Sequence, residues 1–241
     1  MKPFLLLLAL PALLFAGYKS SIHPIDKTIE KRMRSGHSYR KGCPVPLRDL
    51  RYLRMTYRGF DGRVHAGEMI VHRDVAKEVT QIFGKLYQSK YPIRKMVLVS
   101  HYNASDFQSI EADNTSAFNC RPITGGTKWS RHSYGKAIDI NPIENPYISR
   151  NGHIAHKKSL RYGLRGRKHR TNKVEDKAIM TQGDPIVRFF KSHGWRWGGD
   201  WNSIKDYQHF DKPGRTILSS GSKHTQHTKH PRQLFKGLSN Y

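Results

Sequence analysis

Between Leu50 and Tyr57 apolar and polar positions alternate, with Leu50, Tyr52 and Arg54 on one side and Leu53, Met55 and Tyr57 on the other. A period of two is that of a strand, whose successive side chains point to opposite faces. Phe60-Asp61-Gly62-Arg63 reads as a turn and Val64 to Val71 as the returning strand, so the pattern predicts a β-hairpin. The period then lengthens. After Asp74, a residue suited to capping, Val75, Val79, Ile82, Phe83, Leu86 and Tyr87 fall at helical spacing, and Tyr91-Pro92 marks the end. Met96-Val97-Leu98-Val99 predicts a short buried strand, and residues 101–131 a polar, turn-rich loop. Ala137-Ile138-Asp139-Ile140 predicts a further strand, stopped by Asn141-Pro142. Asp184-Pro185 opens a second helix, with Ile186, Val187, Phe189 and Phe190 on its buried side and Gly194 after its end. Elements of both kinds without regular βα alternation predict an α+β fold.

The flanks of the chain follow other patterns. Met1-Lys2 and the apolar run from Phe4 to Ala16 predict a signal peptide over residues 1–16, cleaved near Ala16-Gly17, with an uncleaved anchor as the alternative. The run is short for a membrane span. Residues 17–46 are polar and basic and read as an irregular arm, 47–215 as one domain, and 216–241 as a basic polar tail. In that tail His224, His227 and His230 are evenly spaced, but nothing apolar fixes them, so a flexible segment is favoured over a metal site. Residues 141–183 form a long irregular stretch, of a kind that is usually functional or disordered.

Composition narrows the setting. The signal peptide places the protein outside the cytoplasm, in a periplasmic or extracellular space. Lys and Arg total 43 against 18 Asp and Glu, a net charge of +25, which attracts polyanions by counterion release. For an exported protein the nearby polyanions are anionic cell-envelope polymers. No nucleic-acid recognition motif is present, and the basic residues, peaking locally from Lys157 to Lys173, read as a solvated surface. Cys43 and Cys120 are the only cysteines. An oxidising compartment permits them to pair, while their geometry is not legible from sequence. Oligomeric state is likewise not specified.

The chemistry is concentrated in two short runs. Ser130-Arg131-His132-Ser133-Tyr134-Gly135-Lys136-Ala137-Ile138-Asp139 and Asp206-Tyr207-Gln208-His209 together supply two imidazoles and two carboxylates. Asp139 shares a strand face with Ala137, so it can meet a cleft while Ile138 and Ile140 enter the core. A straight strand would point His132 to the opposite face, and Gly135 permits the necessary bend. His132, Asp139 and His209 are a ligand set for Zn²⁺ that leaves a fourth position for water, with Asp206 over as a base. Arg121, in the preceding loop, is the candidate cation for a developing oxyanion. Spacing alone leaves a structural metal or a polar core cluster as alternatives. Trp195, Trp197 and Trp201 can wall a cleft or fill the core; Trp197 is the substrate-binding candidate.

These runs resemble a known family. The first resembles the S-x-H-x-x-G-x-A-x-D signature of the zinc D-alanyl-D-alanine carboxypeptidases and dipeptidases and the related L-alanyl-D-glutamate endopeptidases. Asp206-Tyr207-Gln208-His209-Phe210 is similar to their second motif. Residues 113–122 and Gly194-Trp195-Arg196-Trp197-Gly198-Gly199 resemble flanking segments of the endopeptidase-type branch. The resemblance covers roughly residues 95–211. It implies the fold shared by Hedgehog domains and these peptidases, an antiparallel sheet flanked by helices. It implies zinc on His132, Asp139 and His209, Asp206 as base, Arg121 contacting the substrate carbonyl, and Ser130 positioning substrate. Asp206 stands where many relatives carry Glu; Asp is one methylene shorter, so the base must approach the water more closely, and residues 150–175 depart from the pattern. The activity implied is hydrolysis of peptidoglycan stem peptides, either as a carboxypeptidase or as an endopeptidase. The competing readings are an inactive, zinc-stabilised cell-wall-binding domain and a polyanion-binding protein. A carboxypeptidase needs a group to capture the terminal carboxylate, and the sequence singles out none of its 43 basic residues for that task.

Overall fold

The computed structural model describes residues 17–165 and 171–213. The predicted signal peptide and the His-bearing tail lie outside the described residues, as does the middle of the basic peak. Within them the chain runs β1 (Ser20–Pro24), α1 (Lys27–Ser35), β2 (Leu50–Arg58), β3 (Val64–His72), α2 (Arg73–Gln88) and α3 (Asp106–Glu111). It continues through β4 (Ala137–Asp139), β5 (Tyr147–Ile148), α4 (Pro185–Ser192), β6 (Arg196–Trp197), β7 (Lys205–Asp206) and β8 (His209–Asp211). The sheets are antiparallel, in the orders β1-β2-β3, β4-β8-β6 and β5-β7. This mixture of helices and antiparallel sheets is the α+β class. No helix among the described residues is long and apolar enough to cross a membrane.

The hairpin forms as its alternation predicts, and both of its faces are covered. Leu53, Met55, Met69 and Val71 pack against Val75, Val79, Ile82, Phe83 and Leu86 of α2. The same cluster continues through Ile138, Phe210, Ile186, Val187 and Phe190, so one core underlies the hairpin, α2, α4 and the β4-β8-β6 sheet. Each fully buried side chain of this type contributes about 1.5–3 kcal/mol. Leu50 and Ile70 point the other way, into a second cluster with Ile29, Met33, Phe118 and Cys120.

That second cluster corrects the expectation of an irregular arm. Residues 20–24 form an edge strand on β2, in register from Ser20 opposite Met55 to Pro24 opposite Arg51. Asp26 Oδ1 then accepts from the Ile29 amide at 2.8 Å and caps α1. Only Ile29 and Met33, one turn apart, are buried on that helix, too faint a stripe to stand out in a basic sequence. A disulfide joins Cys43 to Cys120 and ties this part of the chain to the segment leading into the His132 motif.

Four further expectations change. His72, not Asp74, caps α2: its Nδ1 accepts from the Asp74 amide at 3.2 Å. Residues 96–98 are buried in part but form no strand. The Asn114 side chain takes the place of a neighbouring strand there, accepting from Val97 N at 2.9 Å and donating to Val97 O at 3.0 Å. The loop 101–131 contains α3, capped by Ser105. Finally, the stretch 141–183 is built around Asn145. Its amide donates to the carbonyls of Asn141 and Ala178, at 3.1 and 2.9 Å, and accepts from Met180 N and from Arg165.

Candidate metal centre

Two local devices bring the site together. Ser130 opens a single turn of 3-10 helix, Arg131–Tyr134, by accepting from the His132 amide at 3.3 Å. Gly135 ends it with φ +63°, and its carbonyl accepts from His72 N at 2.8 Å. A Cβ at Gly135 would lie 2.6 Å from that same His72 nitrogen, so the turn needs glycine for conformation and for space. The chain then enters β4, which pairs with β8 so that Asp139 stands directly opposite His209. Residues 70 positions apart thereby become cross-strand neighbours, within side-chain reach.

The donor atoms converge. His132 Nε2 lies 3.1 Å from Asp139 Oδ2 and 3.3 Å from His209 Nδ1, which is 2.9 Å from Asp139 Oδ1. All three residues are buried, and one ligand atom from each can be chosen so that all lie within 4.8 Å of one another. His132 Nδ1 faces the carbonyl of Ala117 at 2.6 Å, which assigns the proton to Nδ1 and leaves the Nε2 lone pair for a metal. Although burial opposes ionisation, the imidazoles of His132 and His209 hold Asp139 well below the usual carboxylate range. For His209, burial acts downward, but the bond to Asp139 and the nearby carboxylates raise it to about 9. Two nitrogens and a carboxylate oxygen, already oriented, fit zinc.

Asp206 lies beside this triad in the same cleft, which has a volume of about 750 Å³. Its Oδ1 is buried without a hydrogen-bond partner among the described residues. Burial pushes its pKa up to about 6, and the charge of Asp139 adds to the rise. Gly198 makes room for it: a Cβ there would come 2.4 Å from the Asp206 carbonyl oxygen. Arg121 lines the cleft, with Nη2 donating to Asp106 at 2.8 Å and Nη1 to the Pro122 carbonyl. Ser133 clamps Arg121 to the His132 turn, accepting from Arg121 N at 2.9 Å and donating to Arg121 O at 2.7 Å.

The structure therefore gathers His132, Asp139, His209, Asp206, Arg121 and Ser130 around one cleft. Trp197 is a correction. It is 2% exposed, donates through Nε1 to the Tyr207 carbonyl at 2.8 Å and lies against Phe210 in the core. Strand alternation in β6 turns it inward. Trp201, four residues on, lines the cleft instead, its ring 5.6 Å from that of His209. Sequence reasoning passed over Phe107, Tyr147 and His156, which also line the cleft. His156 packs on Phe107 and bonds to Glu111 at 2.7 Å. No signal near these residues in the chain points to the site: α3 presents Phe107, and the folding of residues 141–165 brings Tyr147 and His156 there.

No curated protein and no solved structure gives a significant match to the chain. Residues 124–212, which carry the ligand triad and Asp206, match the family model described as D-alanyl-D-alanine carboxypeptidase, so the zinc-peptidase family that the motifs resemble is the family that fits.

Proposed function

We propose that this protein is an exported zinc peptidase that hydrolyses an amide bond of peptidoglycan stem peptides, next to a D-residue. The observation that carries the reading is the placement of an unpartnered Asp206 Oδ1 in the same cleft as the His132, Asp139 and His209 donors. Export is supported by the apolar leader and by the Cys43–Cys120 disulfide.

His132, Asp139 and His209 would hold the metal. Zinc bound there supplies Lewis acidity toward a water molecule and the scissile carbonyl. The protein's own groups supply the proton path and the binding. Asp206 Oδ1 takes the proton of the attacking water and returns it to the departing amine. Its elevated pKa suits a group that both accepts and donates near neutral pH. Arg121, clamped by Ser133 and held by Asp106, offers positive charge to the carbonyl oxygen as negative charge grows on it. Ser130 Oγ accepts from the His132 amide, so its hydroxyl proton is available to the substrate backbone. Trp201 walls the cleft on the His209 side.

Digestion of purified muropeptides with metal-loaded and chelated protein, read by mass spectrometry, tests the reading. Zinc-dependent release of a terminal alanine identifies a carboxypeptidase. Separation of the stem behind its first alanine identifies an endopeptidase. Absence of any metal-dependent product rejects the enzyme.

A further inference from the structure

Three basic side chains, Arg121, Arg131 and His156, line the cleft, and their pairing with carboxylates differs. Arg121 is paired with Asp106 at 2.8 Å. His156, which lines the cleft, and Lys158 both contact Glu111, at 2.7 and 3.3 Å. Arg131, the residue immediately before His132, is held through Nε by Asp211 at 3.2 Å. Asp211 is almost fully buried and is also bound by Arg196, through Nε at 3.2 Å and through Nη2. One carboxylate thus serves two guanidinium groups, and the cluster keeps a net positive charge. Arg131 is the member that lines the cleft. Its side chain is 41% exposed, and its two Nη groups make no hydrogen bond among the described residues.

An arginine anchored through Nε presents its two terminal nitrogens as a fixed fork, the geometry that receives a carboxylate with two parallel hydrogen bonds. Asp211 supplies that anchor from β8, the strand that also carries His209, so the fork is referenced to the donor triad. We propose that Arg131 is a specificity-determining residue that binds a free carboxylate of the substrate close to the scissile amide. The proposal rests on the peptidase reading above and sharpens it by naming the recognition group. Two carboxylates of a stem peptide have this chemistry: the terminal one of a D-residue and the free one of a D-glutamyl residue.

The test is a binding cycle on the full-length, zinc-loaded Asp206→Asn protein, which removes turnover. Its ligands are a stem pentapeptide beginning L-alanyl-D-glutamyl and ending D-alanyl-D-alanine, the same peptide amidated only at the terminus, and the same peptide amidated only at the glutamyl carboxylate. Calorimetry is expected to show one amidation weakening binding about 10- to 100-fold. Which amidation does so identifies the carboxylate. In the Arg131→Met background that amidation is expected to change affinity less than twofold, and Arg131→Lys is expected to recover part of the discrimination. Unchanged melting temperature and zinc content in Arg131→Met show that fold and metal site persist. Equal sensitivity to amidation with and without Arg131, or no sensitivity to either amidation, overturns the proposal. Failure of the peptidase reading looks different: the protein with Asp206 intact then cleaves no stem peptide, whatever the binding cycle shows.

Discussion

His132 and Ala117 are joined by a hydrogen bond of 2.6 Å from the imidazole Nδ1 to a backbone carbonyl, and this bond aims Nε2 at Asp139 and His209. The residues flanking Ala117 are themselves fixed. Ser116 exchanges both backbone hydrogen bonds with Asp139, at 2.9 and 2.8 Å, and Phe118 N donates to Ile70 O in the hairpin. One short strap therefore sets the orientation of one ligand and the backbone of another. Because the acceptor is main chain, the orientation does not depend on the side chain at 117.

Loss of a ligand should empty the site. His132→Ala, Asp139→Ala and His209→Ala are each expected to abolish stoichiometric zinc binding at neutral pH. Metal analysis of the purified variants checks this, and one zinc per chain retained in any of them removes that residue from the ligand set.

Asp206 should separate binding from chemistry. Asp206→Asn keeps the size of the side chain and removes its basicity. Zinc content is expected to stay at the wild-type level while hydrolysis falls by about 10²- to 10⁴-fold, the usual contribution of a positioned acid–base group. Steady-state rates on a muropeptide, set beside metal analysis of the same sample, measure both.

Zinc should stabilise the fold, since it would tie His209 to His132 and Asp139, 77 and 70 positions earlier in the chain. At free zinc about 100 times the dissociation constant, the gain is about 2.7 kcal/mol. For a chain of this size that corresponds to a rise of about 5–10 °C in Tm. Thermal unfolding with chelator and with restored zinc reads the shift, which should vanish in His209→Ala and persist in Asp206→Asn.

A second acidic pair governs stability against pH. Asp113 and Glu144 are buried, and their carboxyl groups interact. Burial raises both carboxyls, and the neighbouring Asp113 charge helps push Glu144 up to about 9. Asp113 Oδ2 and Glu144 Oε2 have no hydrogen-bond partner among the described residues, and Arg94 Nε stands 3.7 Å from Asp113 Oδ2. The folded state thus holds a proton that the unfolded chain releases near its ordinary value of 4.5. Stability from this source is complete below about pH 4.5 and is lost as pH rises toward about 9. Glu144→Gln is expected to flatten that part of the pH profile and to be more stable than wild type at pH 9. Urea unfolding across the range would falsify the idea if both proteins showed the same slope.

Among the described glycines, Gly135 joins a positive φ to a close backbone approach. Gly135→Ala combines a positive φ with a 2.6 Å approach to His72 N. A loss of about 1–3 kcal/mol is expected. Chemical denaturation measures it, and a change below about 0.5 kcal/mol, ordinary for a surface site, contradicts the account.

The hairpin, α2, α4, β4 and the donor triad are all legible in the chain, because each is encoded by local period or by residue type at short spacing. The β1–α1 unit is not. Its helix buries only Ile29 and Met33, and its strand gains stability by pairing with β2 rather than from its own pattern. The missing strand at 96–99 has a similar origin, since Val97 is satisfied by the Asn114 side chain, which hydropathy does not register. Trp197 and Trp201 are alike in composition and context, and only the pleat of β6 and the turn after it send one into the core and the other to the cleft.

The sequence by itself determined which groups can do chemistry here: two histidines and two aspartates in short motifs, with a glycine placed for the bend between the first pair. Such information is local, and ligand chemistry depends on residue type. Tertiary structure decided what surrounds them. Antiparallel pairing set Asp139 opposite His209, the Asn145 network folded residues 141–165 into a cleft wall, and Asp211 took two arginines so that Arg131 kept an unpaired fork. These are long-range pairings of charges and backbone groups, and no window of sequence contains both partners.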